Sequence, residues 1–139
     1  MRMFFVVAAS LALATCGDSH DGMKSDVSAM RVENQRHYDA VMGLDTMGKI
    51  LDEEARHDTA MTSRMRMMND SMGGMSHCSG MMEMKEMMGD LDTMMGDHTA
   101  TMRAAQSPSE AQSLCAAHYE QAKQMLDRMG GSLGDMCGR

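Results

Sequence analysis

The 139-residue chain carries 20 Asp and Glu against 13 Lys and Arg, a formal charge of −7, so no basic surface is available and nucleic acid is excluded as a partner class. It contains 23 Met, one Pro, no Trp and only two Tyr and two Phe. β-Branched and aromatic residues are too scarce for a sheet and no segment alternates with a period of two, which leaves an all-α protein. No nucleophile–base pair, phosphate loop or paired carboxylates stand out, which argues against an enzyme.

In chain order, the first element is an address. Arg2 precedes the apolar run Phe4 to Ala14, long enough for the core of a signal peptide and too short to span a bilayer. Two cleavage readings follow. Ala12-Leu13-Ala14 fits A-x-A cleavage, and Leu13-Ala14-Thr15-Cys16 resembles the lipobox of bacterial lipoproteins, with Thr15 in place of the usual Gly, Ala or Ser. The order of apolar core, Leu13 and Cys16 favours the lipobox. The resemblance implies that residues 1–15 are removed, that Cys16 is lipidated, and that the protein sits in the cell envelope on the periplasmic side, held to a membrane by its lipid. Residues 16–25 then read as the lipidated cysteine and a polar tether.

Residues 26–139 read as one Met-rich four-helix bundle, with helices near 26–42, 46–72, 80–104 and 108–130. Gly43 and Gly48 flank Asp45-Thr46, which can cap the second helix. Met72-Gly73-Gly74-Met75-Ser76-His77-Cys78-Ser79-Gly80 is the clearest loop. Ser107-Pro108-Ser109-Glu110 is a strong helix start: a capping Ser, Pro at the first helical position and Glu three residues after the cap. Gly130-Gly131 should end or fray the last helix. Short loops make neighbours antiparallel, hence an up-down-up-down order.

The core seams are explicit. Met61, Met65, Met68, Met72 and Met75 step by 4, 3, 4 and 3, and Met81, Met84, Met88, Leu91, Met95, His98 and Met102 continue in the same manner. Met67, Met82, Met87 and Met94 lie beside the seams. Leu and Ile would specify a core better than Met. An excess of this size therefore points to soft-metal affinity or reversible oxidation.

Histidines recur at nearly even spacing: His37, His57, His77, His98 and His118. Folding the chain at its turns brings His37, His57, His98 and His118 within about 6–8 Å in depth, one per helix. Each continues its helix's apolar seam. Asn34, Glu54 and Cys115 fall at similar depth. A single histidine on an apolar face is ordinarily a hydrogen-bonded core residue. Four imidazoles beside a carboxylate and a thiol are costly to bury without a shared partner, and a metal ion supplies one. Di-iron carboxylate chemistry is disfavoured because only Glu54-x-x-His57 matches its pattern, and C-type haem because C-x-x-C-H is absent.

The opposite end of the bundle gathers Met72, Met75, His77, Cys78 and Met81, a second candidate site for a soft ion. Cys78 and Cys137 lie 28 and 31 residues from Gln106 and should form a disulfide. Cys115 is only nine residues from Gln106, about 28 Å of helix axis from Cys78, and is expected to stay free for the histidine layer.

By composition and helicity the chain loosely resembles the Met/His-rich helical copper-handling proteins of bacterial envelopes. The resulting expectation is a non-enzymatic protein that buffers or sequesters copper, Cu(I) first and zinc as the alternative ion. A chaperone-like surface that adapts through Met, or an oxidant scavenger cycling through Met sulfoxide, are the rival readings. Pairing with a second copy across a Met-rich face stays open.

Overall fold

The computed structural model describes residues 12–75 and 78–136, with side chains from residue 17 onward. Residues 1–11, the side chains of residues 12–16, His77 and Cys137 lie outside the described residues, and with them the apolar core of the signal peptide, the lipidation and the Cys78–Cys137 pairing. The described chain is four helices, α1 Ala12–Met42, α2 Met47–Gly73, α3 Met81–Ala104 and α4 Pro108–Asp135, with no strand among the described residues. Each helix packs on its neighbours in sequence and α4 closes on α1, so this is an up-down-up-down four-helix bundle. Among the described residues no helix is long and apolar enough to cross a membrane.

Two helices are longer than their sequences suggest. Residues 17–25, read above as a tether, are helical in α1: Met23 and Val27 are buried, and they extend the stripe Met30, Asn34, His37, Val41 by two further turns. Asp26, also buried, is paired with Arg64 of α2 at 3.1 Å. α4 runs through Gly130-Gly131 because Met129 and Leu133 on its inner face are buried. The burial outweighs the roughly 1 kcal/mol that each glycine costs a helix. Gly130 also makes room for α1, since a Cβ there would lie 2.5 Å from Arg31 Nη2, which donates to Leu126 O.

The turns set the helix register. At α4 the cap is as expected: Ser107 Oγ accepts from the Glu110 N–H and Pro108 opens the helix. Glu110 Oε2 accepts from the N–H of Gln106, one residue before the cap. At α2, Thr46 occupies the cap position in an extended conformation without a side-chain cap bond, and Asp45 pairs with Lys49 instead. Gln112 of α4 closes this end of the bundle by donating to the carbonyls of Val41, Met42 and Leu44, at and just beyond the end of α1. Gly80, with φ +84, starts α3 from a left-handed conformation that suits glycine.

The apolar interior forms two clusters. The longer has 19 buried members of which 15 are Met, so the Met seams are core. Met87, expected beside the seam, belongs to it, whereas Met67 and Met82 face solvent. The shorter, at the turn end, comprises Val41, Ile50, Met102, Ala105, Ala111 and Cys115.

Candidate metal centre

Between the two clusters lies a polar layer. His37 of α1, His57 of α2, His98 of α3 and His118 of α4 are all buried, as are Asn34, Glu54 and Cys115. The helical seams carry these groups inward, and the tight turns at 43–46 and 105–107 bring them to one level. His37 stacks on His57 with centroids 4.0 Å apart, and His98 stacks on His118 at 3.8 Å. The two stacks meet edge to face, His37 on His98 and His57 on His118, each pair at 5.8 Å.

His37, His98 and Cys115 form a buried group that can hold a metal ion, with one donor atom from each lying within 4.8 Å of the others. Glu54 joins them. Its Oε2 lies 3.3 Å from His37 Nε2 and 3.1 Å from His98 Nε2, and its Oε1 accepts from Thr99 Oγ1 at 2.9 Å. The Oε2 contacts are close, but their angles are not those of hydrogen bonds, and Oε2 and both Nε2 atoms remain without a hydrogen-bond partner. Two imidazoles, a thiol and a carboxylate are a donor set suited to zinc or copper.

The outer nitrogens of two rings are fixed. His37 Nδ1 lies 3.3 Å from Glu53 Oε1, and His57 Nδ1 lies 3.1 Å from Glu33 Oε1. A carboxylate only accepts, so in each ring Nδ1 carries a proton and Nε2 faces the interior, where it offers a lone pair in neutral His57 and does so in His37 once an ion displaces the second proton. Carboxylate–histidine pairs orient metal ligands in this manner. The two carboxylates are held in turn: Arg36 donates to Glu33 and Glu53, and Arg56 donates to both as well.

Electrostatics separate the rings. Burial alone would lower the His37 pKa, but Cys115 and the Glu54 carboxylate outweigh it and hold it up at about 10. Burial would raise Glu54, yet His37 and His98 beside it hold its carboxyl well below the usual range. Burial, reinforced by the charge on His37, lowers His57 to about 3, and burial with His98 nearby lowers His118 to about 2. His57 and His118 are therefore neutral at physiological pH, with lone pairs available. Without metal, His37 and Glu54 form a buried ion pair.

A cleft of about 410 Å³ between α3 and α4 reaches the layer, with Asp90, Met94 and Asp97 among its lining and His98 and His118 within it. At the far end, Met72, Met75 and Met81 are buried in the long cluster and Cys78 packs against it. These four are core components in the structure.

Sequence reasoning reached His37, His57, His98, His118, Glu54 and Cys115, but not Glu33, Arg36, Glu53 or Arg56. Their signal was present. Glu33-Asn34-Gln35-Arg36-His37 and Glu53-Glu54-Ala55-Arg56-His57 repeat E-x-x-R-H at an interval of 20 residues. No protein-family model matches the chain, and no curated protein or solved structure is significantly similar to it.

Proposed function

We propose that this protein binds and sequesters copper in the histidine layer, without catalysing a reaction, in the envelope of a bacterial cell. One observation carries the reading. Every buried side-chain nitrogen or oxygen without a hydrogen-bond partner among the described residues belongs to this layer: Asn34, His37, Glu54, His57, His98 and His118. Native interiors leave only a few such atoms per hundred residues, ordinarily scattered, and each costs roughly 1–3 kcal/mol. Those of His37, His98 and Glu54 lie around the Cys115 thiol, an arrangement that a bound ion would resolve.

Imidazole and thiolate donors under a thioether-rich core favour copper, and divalent copper outranks zinc for most nitrogen and sulfur sites. The Glu54 carboxylate favours a second reading, zinc, for which His37, His98, Cys115 and Glu54 would form a tetrahedral set. The α3–α4 cleft offers either ion a path inward, with two carboxylates and a thioether along it. The lipobox-like Leu13-Ala14-Thr15-Cys16 supports membrane attachment through Cys16, which intact mass measurement of the membrane-extracted protein would detect as a lipid adduct. The Met72, Met75, His77, Cys78 and Met81 end remains a secondary soft-ion candidate.

The test is anaerobic competition titration with Cu(I) and Zn(II), using chromophoric chelators. A fall in the number of tightly bound ions in His37→Gln/His98→Gln/Cys115→Ser supports the layer as the site, and the ion bound more tightly decides between the readings. Unchanged binding in that variant moves the site to the Met72–Met81 end. Failure of either ion to bind better than about micromolar, a free energy near −8 kcal/mol, rejects the proposal.

A further inference from the structure

The layer has an internal symmetry with a consequence for how many ions it holds. Glu53 of α2 holds His37 of α1, and Glu33 of α1 holds His57 of α2, each through Nδ1. The ring contacts repeat in the same sense, two stacks at 4.0 and 3.8 Å and two edge-to-face contacts at 5.8 Å. An approximate two-fold operation that exchanges α1 with α2 and α3 with α4 relates these features.

Applied to the first donor set, the operation is specific. His37 becomes His57 and His98 becomes His118. Glu54, three residues before His57, becomes Asn34, three before His37. Cys115, three before His118, becomes Met95, three before His98. All four counterparts are buried. Three of them present unpartnered atoms: His57 Nε2, both ring nitrogens of His118 and Asn34 Oδ1. The Asn34 amide is oriented by chemistry, since its Nδ2 donates to Tyr119 O at 3.1 Å and only Oδ1 remains for the interior.

Stacking excludes a single ion shared by all four rings. A metal lies in the imidazole plane along the nitrogen lone pair. His37 and His57 are within 10° of parallel, and His98 and His118 within 4°, so stacked partners aim along separate planes and cannot converge on one point. The edge-to-face partners can. Helix direction separates the sets further. Glu54 and Cys115 precede their histidines on helices running away from the 43–46 and 105–107 turns, whereas Asn34 and Met95 precede theirs on helices running toward them. The two sets therefore lie on opposite sides of the layer.

We infer that the layer is a two-ion centre, in which His57, His118, Asn34 and Met95 hold a second ion beside the one at His37, His98, Cys115 and Glu54. This rests on the metal-binding reading above. The second set is neutral in every donor and includes a thioether, which suits a soft, singly charged ion, Cu(I). The first set carries the carboxylate and the thiol and suits a divalent ion as well.

The experiment titrates the full chain anaerobically with Cu(I) and, separately, with Co(II), whose thiolate charge-transfer band reports the Cys115 site. The variant Asn34→Leu/Met95→Leu should bind one Cu(I) fewer per chain and keep the Co(II)–thiolate band. Cys115→Ser should lose that band and retain the second Cu(I). His118→Gln repeats the first comparison, with circular dichroism confirming the fold, should the double variant be unstable. An unchanged Cu(I) count in Asn34→Leu/Met95→Leu and His118→Gln overturns the second site while leaving the first intact. Loss of all copper in either folded variant also overturns it, because the ion would then be shared. Absence of tight binding in the unaltered protein rejects the metal reading itself.

Discussion

Replacing Glu53 by Gln tests whether the outer carboxylates position the ligands. Glu53 accepts from His37 Nδ1 and is gripped by Arg36 and Arg56. An amide in its place can donate to Nδ1. That would move the ring proton to Nε2, the atom that faces Glu54 and the ion. Loss of such a partner ordinarily weakens metal affinity by about 10–100-fold, equivalent to about 1.4–2.7 kcal/mol. The cost to the fold should be smaller. The arginines that Glu53 pairs with have side chains 39% and 43% exposed, so solvent screens those pairs and their loss should remove only about 1 kcal/mol. Competition titration and thermal unfolding of the metal-free protein separate the two effects. The expected result is a large fall in affinity with a small fall in melting temperature, reversed by the conservative Glu53→Asp only if the shorter carboxylate still reaches Nδ1. Affinity within about twofold of the unaltered protein would refute the positioning argument.

Further outcomes follow from the same geometry. Stability of the metal-free protein should peak near pH 6.5. Below it the unfolded chain protonates His57 and His118 while the folded state, with values near 3 and 2, does not, so stability falls with pH; above it His37 keeps its proton to about pH 10 while the unfolded chain releases it, so stability falls again. Melting temperatures measured from pH 4 to 10 check this, and a monotonic rise across that range would contradict it. Met61→Leu and Met84→Leu, both in the long cluster, should each cost less than about 1.5 kcal/mol in chemical denaturation and leave layer affinity unchanged, whereas Met68→Ala should cost about 2–5 kcal/mol. Ala117→Trp, at the α3–α4 cleft, should slow metal association in stopped flow without changing equilibrium affinity, and an unaltered rate would place the entry path elsewhere.

The seams and turns were legible because helical periodicity and capping are local. The steps from Met61 to Met75 and from Met81 to Met102 gave the inner faces of α2 and α3, and Ser107-Pro108-Ser109-Glu110 gave the start of α4. The histidine level followed from counting residues outward from the turns. What failed depended on tertiary contact. Residues 17–25 look polar in isolation, and tertiary contacts hold them against the bundle: Met23 and Val27 are buried, and His20 Nε2 lies 2.6 Å from Leu133 O. Gly130-Gly131 reads as a stop until Leu133 is seen buried beyond it and Arg31 is seen lying over Gly130. Glu33 and Glu53 escaped notice because each serves a histidine on the other helix. The E-x-x-R-H repeat marks the four residues, but their exchange of partners appears only when α1 and α2 are placed side by side.

The unequal construction of the two apolar clusters accounts for how a flexible residue type can surround an ordered site. Met has three rotatable side-chain bonds and defines packing poorly on its own. On the turn side of the layer Met102 is joined by Val41, Ile50, Ala105 and Ala111, and Gln112 ties the end of α1 to α4 through three carbonyls. Branched and small side chains with few rotamers fix helix spacing there, immediately beside Cys115 and the rings. The Arg36, Arg56, Glu33 and Glu53 network fixes the outer edge of the α1–α2 half. The rings are thus oriented by a short, well-specified cap and a charged clasp, which leaves the long Met-rich body free to adjust as an ion replaces the His37 proton. Weakening the cap with Gln112→Ala should accordingly reduce metal affinity more than Met61→Leu does, although Gln112 touches none of the ligands.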